Sequence, residues 1–228
     1  MNSNMCRAYC TRTSIRVTVW YELTRTLAKY WRGTIWPPTN YLVYQGLKRY
    51  GFDAPAAALA ERSVDLFLGS WRRLQLCREN YDSRTGEGGG QKYQSWGPLF
   101  ALMGVEEFID ATPWDGLRIG TISPPPDTTL HRIRVCDHQW SVSLSQTGLT
   151  VSVDGDHLLT STGPMVLRHL EFTDGGFRSA TTSAEDVAVV VSLGTEKVQI
   201  TVDRVTSICS GNAVQIPAGQ HSVRIKPH

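Results

Sequence analysis

The sequence predicts an α + β chain of two modules, helical hairpins followed by an antiparallel β-sandwich. Three observations carry this expectation. Apolar residues recur at helical spacing over about 40–111, the period drops to two beyond Thr112-Pro113, and a linker-like Ser123-Pro124-Pro125-Pro126-Asp127 follows the change. The expected division is 1–28 unassigned, 29–112 helical and 113–228 strand-rich.

Residues 1–28 carry Arg7, Arg12, Arg16 and Arg25, with no acid before Glu22. Their composition faintly resembles a mitochondrial transit peptide but shows no amphipathic stripe, so a fragment boundary or a mis-assigned start is the preferred reading. From Asn40, Leu42, Val43, Leu47 and Tyr50 form one helical stripe, and Gly51 stands where a C-terminal cap belongs. A long helix is expected from Ala54 to about Leu76, on Ala58, Leu59, Val64, Leu66, Phe67, Trp71 and Leu74. A third is expected over Trp96–Ala111, with Leu99, Leu102, Met103, Val105, Phe108 and Ile109 inward and Glu106 and Glu107 toward water.

The strand-rich part is marked by Trp140, Val142 and Leu144, then Leu149, Val151 and Val153, with a turn at Gly148 and a hairpin signal at Asp154-Gly155. Further strands are expected at Val187–Leu193, Val198–Val202 and Ser222–Ile225. Trp140 alternates with Val142, which makes it sandwich core rather than a lectin platform.

Composition narrows the function classes. The chain has 228 residues, 41% hydrophobic and 19% charged, with a formal net charge of +2 and its basic residues scattered, so a nucleic-acid partner is not expected. No apolar run is long enough to span a membrane. Cys6, Cys10, Cys77, Cys136 and Cys209 form no Cys-x-x-Cys pair, and the six histidines show no metal-ligand spacing, so neither a disulfide framework nor a metal site is expected. A reducing cytoplasmic setting is the default.

Two segments carry chemistry. Tyr30-Trp31-Arg32-Gly33-Thr34-Ile35-Trp36-Pro37-Pro38-Thr39-Asn40-Tyr41 sets aromatic faces beside a guanidinium and an amide, which suits stacking on a pyranose and hydrogen bonding to its hydroxyls. Read blandly, it is a hydrophobic plug. Glu79-Asn80-Tyr81-Asp82-Ser83-Arg84-Thr85-Gly86-Glu87-Gly88-Gly89-Gly90 places three carboxylates in a loop between helices, where acids and bases for glycosidic cleavage can be presented. The bland alternative there is plain turn chemistry.

Taken in order with Ser95-Trp96-Gly97, these segments resemble the family 63 glycoside hydrolases and their mannosylglycerate and glucosylglycerate hydrolase relatives, closely over residues 29–111. The resemblance implies part of an (α/α)6 barrel that cleaves α-glucosidic or α-mannosidic bonds with inversion, without a cofactor. It implies Glu79 as the general base, with Tyr30, Trp31, Gly33 and Trp36 lining the sugar pocket. Arg32, Asn40, Tyr81 and Trp96 would support or border it, and Glu87 would stand at its edge. The general-acid aspartate of those enzymes lies well upstream, and residues 1–28 do not supply it. The expectation is therefore a base-bearing fragment, inactive alone, whose apolar barrel face invites self-association. The competing class is a non-catalytic carbohydrate-binding or scaffolding protein.

Overall fold

The computed structural model describes Trp31 and residues 33–125, 127–173, 175–195 and 197–228, in two compact units, Met1–Met103 and Gly104–His228. The first unit contains β1 (Thr34–Ile35), α1 (Pro37–Arg49), α2 (Asp53–Leu74), β2 (Arg78–Asp82) and β3 (Gly88–Lys92). A short α3 (Leu99–Glu106) ends it and runs across the boundary. Pro37 and Pro38 open α1, where the N–H they lack has no helical partner to lose. Gly51, at φ +73°, closes it as expected: its N–H reaches the Lys48 carbonyl at 3.0 Å, and that of Phe52 reaches Leu47 at 2.9 Å.

The buried face of α1 differs from the expected stripe. It consists of Pro37, Asn40, Tyr44 and Lys48, with Val43 and Leu47 of that stripe half-buried against the core and Leu42 71% exposed. Lys48 is fully buried, and its ammonium lies 4.7 Å from the centre of the Tyr44 ring, where the ring face attracts a cation. Tyr44, Ala56, Leu59, Ala60, Phe67, Tyr81, Phe100 and Met103 form the core of this unit.

The expected partial (α/α)6 barrel is overturned. The described chain has three helices of 13, 22 and 8 residues, and most of its structure is antiparallel strand in three sheets. Two local causes are visible. Segment 79–90, expected as a helix-to-helix loop, lies in a β-hairpin over 78–92 that pairs β2 with β3 and is extended by β1. The expected third helix ends at Glu106, because Ile109–Thr112 turns at Pro113-Trp114-Asp115 and pairs with Gly116–Ile119. Glu106 and Glu107 are buried rather than facing water: Arg118, itself fully buried, donates to the Glu106 carbonyl at 3.2 Å and stands 3.9 Å from the Glu107 carboxylate.

The second unit is an antiparallel β-sandwich. Its strands are β4 (Ile109–Thr112), β5 (Gly116–Ile119), β6 (Thr128–Val135), β7 (His138–Ser145), β8 (Gly148–Val153), β9 (Asp156–Ser161) and β10 (Met165–Thr173). They are followed by β11 (Gly176–Ser183), β12 (Val187–Val191), β13 (Lys197–Val202), β14 (Val205–Ser210), β15 (Ala213–Ile216) and β16 (Gly219–Pro227). One sheet runs β14-β13-β16-β11-β10-β5-β4, the other β15-β12-β9-β8-β7-β6. Both contribute to one core, Trp140, Val142, Leu144 and Val151 from the second and Ile119, Leu167, Phe177, Val223 and Ile225 from the first. Trp140 is fully buried, as its alternation with Val142 predicts. Asp154 and Gly155 both have positive φ in the β8–β9 turn, which matches the right-handed twist of a tight hairpin. Among the described residues no helix is long and apolar enough to cross a membrane.

A histidine–aspartate pair ties β16 to the β13–β14 turn. His221 Nδ1 donates to Asp203 Oδ2 at 2.9 Å and Nε2 faces the Ala218 carbonyl at 3.2 Å, so both ring nitrogens meet acceptors and the imidazolium is favoured. The Asp203 hydrogen bond, followed by that to Ala218, raises the His221 pKa, and hydrogen bonds from His221 and the Ser222 N–H lower that of Asp203. The His221 contribution is complete below its ordinary 6.5 and lost as pH rises through the raised value. The Asp203 contribution is complete above its ordinary 3.8 and lost as pH falls through the lowered value. The stabilising window therefore lies between those two ordinary values. In thermal melts from about pH 5 to about pH 9, the Tm gap between the parent chain and His221→Gln should be widest at the acid end of that range and close as the pH rises.

Candidate functional site

Glu79 sits on β2 at a register break. Arg78 pairs with Lys92 and Asn80 with Gly89, so Gly90 and Gln91 together oppose Glu79 as a β-bulge. The extra residue turns the Gln91 N–H toward the Glu79 carboxylate, which accepts from it at 2.7 Å. Gly90 has φ +66°, and a Cβ there would collide with Glu79 Oε2 and lie 2.7 Å from the Glu79 Cβ. Arg78 lies in the same way across Gly88, donating to its carbonyl at 2.7 Å. The triple glycine, expected as turn chemistry, is thus a strand whose missing side chains make room for those of β2.

Three indoles lie close to one another, and one of them bonds to the Glu79 backbone. Trp31 is 56% exposed and stacks on buried Trp36, with ring centroids 3.7 Å apart and planes at 18°. Trp96 stands 6.4 Å from Trp36, tilted 56°, and its indole N–H donates to the Glu79 carbonyl at 3.1 Å. Trp36 caps the start of α1, so one short path through Trp96 links the indole stack to the Glu79 backbone. Gly33 precedes β1 at φ +78°, and its carbonyl accepts from Ser83 at 2.6 Å, pinning the segment to the β2–β3 turn.

The remaining expected residues go elsewhere. Tyr81 is fully buried, its ring stacked 5.5 Å from Phe100, and burial is the main cause that pushes its phenol up to about 12. It is core, not pocket wall. Asn40 donates its amide to Ser63 Oγ at 3.2 Å and joins α1 to α2. Glu87 is exposed beyond the hairpin turn, where its N–H donates to Thr85 Oγ1 at 3.2 Å. Tyr30 and Arg32 lie outside the described residues. Asp82 accepts from the Arg84 side chain and from the N–H groups of Arg84 and Thr85, which hold its carboxyl down at about 2. A group so acidic stays ionised and does not serve as a proton donor near neutral pH. The bulge and the Gln91 N–H were missed by sequence reasoning, and the Gly88-Gly89-Gly90 run was their only signal. Among the described residues no group of three His, Cys, Asp or Glu is placed to hold a metal.

Residues 9–97 match the family model of the mannosylglycerate hydrolase MGH1-like glycoside hydrolase domain. The match is partial, and it makes this segment similar to the family 63-related, mannosylglycerate hydrolase-like proteins. The mannosylglycerate hydrolase of Thermus thermophilus is 38% identical over 74 residues, which cover 32% of this chain and 17% of that protein. That of Rubrobacter radiotolerans is 34% identical over 73 residues, 30% of this chain and 14% of the relative. Mannosylglycerate hydrolase MGH2 of Selaginella moellendorffii is 35% identical over 83 residues, 36% and 15% respectively. The chain therefore spans less than a fifth of the length of these relatives. No solved structure gives a significant match.

The bulge can be tested without any substrate. Gly90→Ala should lower the free energy of unfolding in urea by about 2–3 kcal/mol, because it strains a positive φ and displaces a buried carboxylate. Gly69→Ala should instead raise it by about 0.5–1 kcal/mol, since a Cβ in mid-α2 meets nothing within 4 Å.

Proposed function

We propose that residues 30–97 form the base-bearing part of an inverting α-glycosidase site of the mannosylglycerate hydrolase type. Glu79 deprotonates the attacking water, and Trp31, backed by the buried Trp36, forms the sugar platform with Trp96 nearby. The observation that carries this reading is the seating of Glu79: a carboxylate fixed by the Gln91 N–H and by the absence of a Cβ at Gly90 has one defined direction. A general base needs such fixing, because in an inverting site the water must be held opposite the leaving group, between carboxyl groups about 6.5–9.5 Å apart.

The partner acid is the other half of the reaction, and Asp82, held ionised, does not fill that role. By itself the 228-residue chain is therefore an incomplete catalyst. Exposed apolar residues of the helical unit, Leu42, Phe52 and Leu74 among them, supply a face for self-association. Cys77, Cys136 and Cys209 are free thiols, which suits a reducing, cytoplasmic setting.

The test exchanges the matching stretch of the Thermus thermophilus relative for residues 30–97 of this chain. The chimera should hydrolyse mannosylglycerate, and Glu79→Gln within it should lower kcat by about a hundredfold or more while leaving substrate affinity largely in place. Retained turnover in the Glu79→Gln chimera would remove Glu79 as the base. The isolated 228-residue chain should release no sugar from mannosylglycerate or from aryl α-mannosides and α-glucosides.

A further inference from the structure

At one end of the sandwich, where β7 begins and β10 finishes, an aromatic ring is held with one face to water. Phe172 stacks on fully buried Trp140, ring centroids 6.1 Å apart and planes 13° from parallel, yet it remains 45% exposed. His138 meets both rings edge-on, 5.7 Å from Phe172 and 6.1 Å from Trp140. A ring backed by a buried indole and flanked by an imidazole is a fixed platform rather than a loose surface side chain.

The imidazole is itself oriented. His138 Nδ1 lies 2.6 Å from Asp154 Oδ2, and Asp154 Oδ1 accepts from the Gln139 N–H at 2.8 Å. An ionised carboxylate only accepts, so Nδ1 carries the proton, and in the neutral ring Nε2 presents its lone pair. No described residue meets that nitrogen. The His221–Asp203 pair repeats the arrangement on the other sheet, down to the backbone N–H of the following residue, Ser222, on Asp203 Oδ1. There, however, Nε2 is taken up by the Ala218 carbonyl, and no ring contact accompanies it among the described residues. One pair is closed upon itself, whereas the other leaves an acceptor beside an open aromatic face.

A flat apolar face beside an imidazole acceptor and a carboxylate favours a neutral, donor-rich ring and repels phosphate-bearing ligands. We infer that the Phe172–His138–Asp154 rim binds a hexopyranose unit, whose C–H face stacks on Phe172 while one of its hydroxyls donates to His138 Nε2. This site stands independently of the role proposed for Glu79.

The test is a titration of the 228-residue chain with methyl α-D-mannopyranoside and methyl α-D-glucopyranoside, followed by NMR at the His138 and Phe172 ring signals. Saturable shifts with a millimolar dissociation constant are expected from at least one sugar. They should be weakened about tenfold by Phe172→Leu, which keeps apolar cover over Trp140 but removes the flat face. His138→Phe, which keeps an aromatic edge but lacks the acceptor, should weaken them as well. Trp31→Ala, which removes the exposed indole of the first unit, should leave them unchanged, which separates this site from the one proposed there. Shifts that do not saturate, or that persist equally in Phe172→Leu and His138→Phe chains with parent-like melts, would overturn the proposal.

Discussion

The first unit depends on one constraint, the close approach of β3 to the side chains of β2. A strand normally keeps its side chains above and below the sheet, and a neighbouring strand carries its own. Here Gly88, Gly89 and Gly90 bring none, so Arg78, Glu79 and Asn80 lie where facing side chains would otherwise stand. The bulge that results supplies the Gln91 N–H to a carboxylate that is otherwise nearly enclosed. Since a buried polar group needs hydrogen-bond partners, the N–H that the bulge supplies favours the burial of Glu79. Trp96 binds the same residue through its carbonyl, and Trp36 and Trp31 stack outward from there. Carboxylate and platform are therefore positioned by one piece of backbone.

How far this was legible in the sequence follows from the range of each signal. Capping is local, and Gly51 ends α1 as its chemistry requires. Alternation is nearly local, and Trp140, Val142 and the Asp154-Gly155 turn fall where their period puts them. The burial of one helix face depends on distant neighbours. Of the expected stripe, Val43 and Leu47 do pack against the core, but Leu42 is exposed, and the fully buried positions include Tyr44 and Lys48. Glu106 and Glu107 deviate for the same reason. Their partner Arg118 lies across a turn, on a strand that the helical period over 96–111 concealed.

For the site, residue type was informative and position was not. Tyr81 and Asn40 have the chemistry of sugar ligands, but one is drawn into the core against Phe100 and the other is spent on Ser63. A motif conveys which residues travel together. It does not separate those that touch a ligand from those that hold the segment in shape, since both are needed for the same short stretch to fold.

The two histidine–aspartate pairs of the sandwich make that distinction within a single fold. In each, an aspartate at positive φ in a hairpin turn accepts from a histidine ring and from the next backbone N–H. This is a structural device, because it satisfies the end of a strand that would otherwise present unpaired donors to water. At His221 the device is complete, since the Ala218 carbonyl consumes the second nitrogen. At His138 the same bonds hold a more exposed imidazole whose ring lies 5.7 Å from that of Phe172. Function in such a scaffold arises where a local stabilising arrangement is left one partner short. On the first unit the Glu79 bulge uses the same means, a backbone N–H that fixes the direction of a carboxylate.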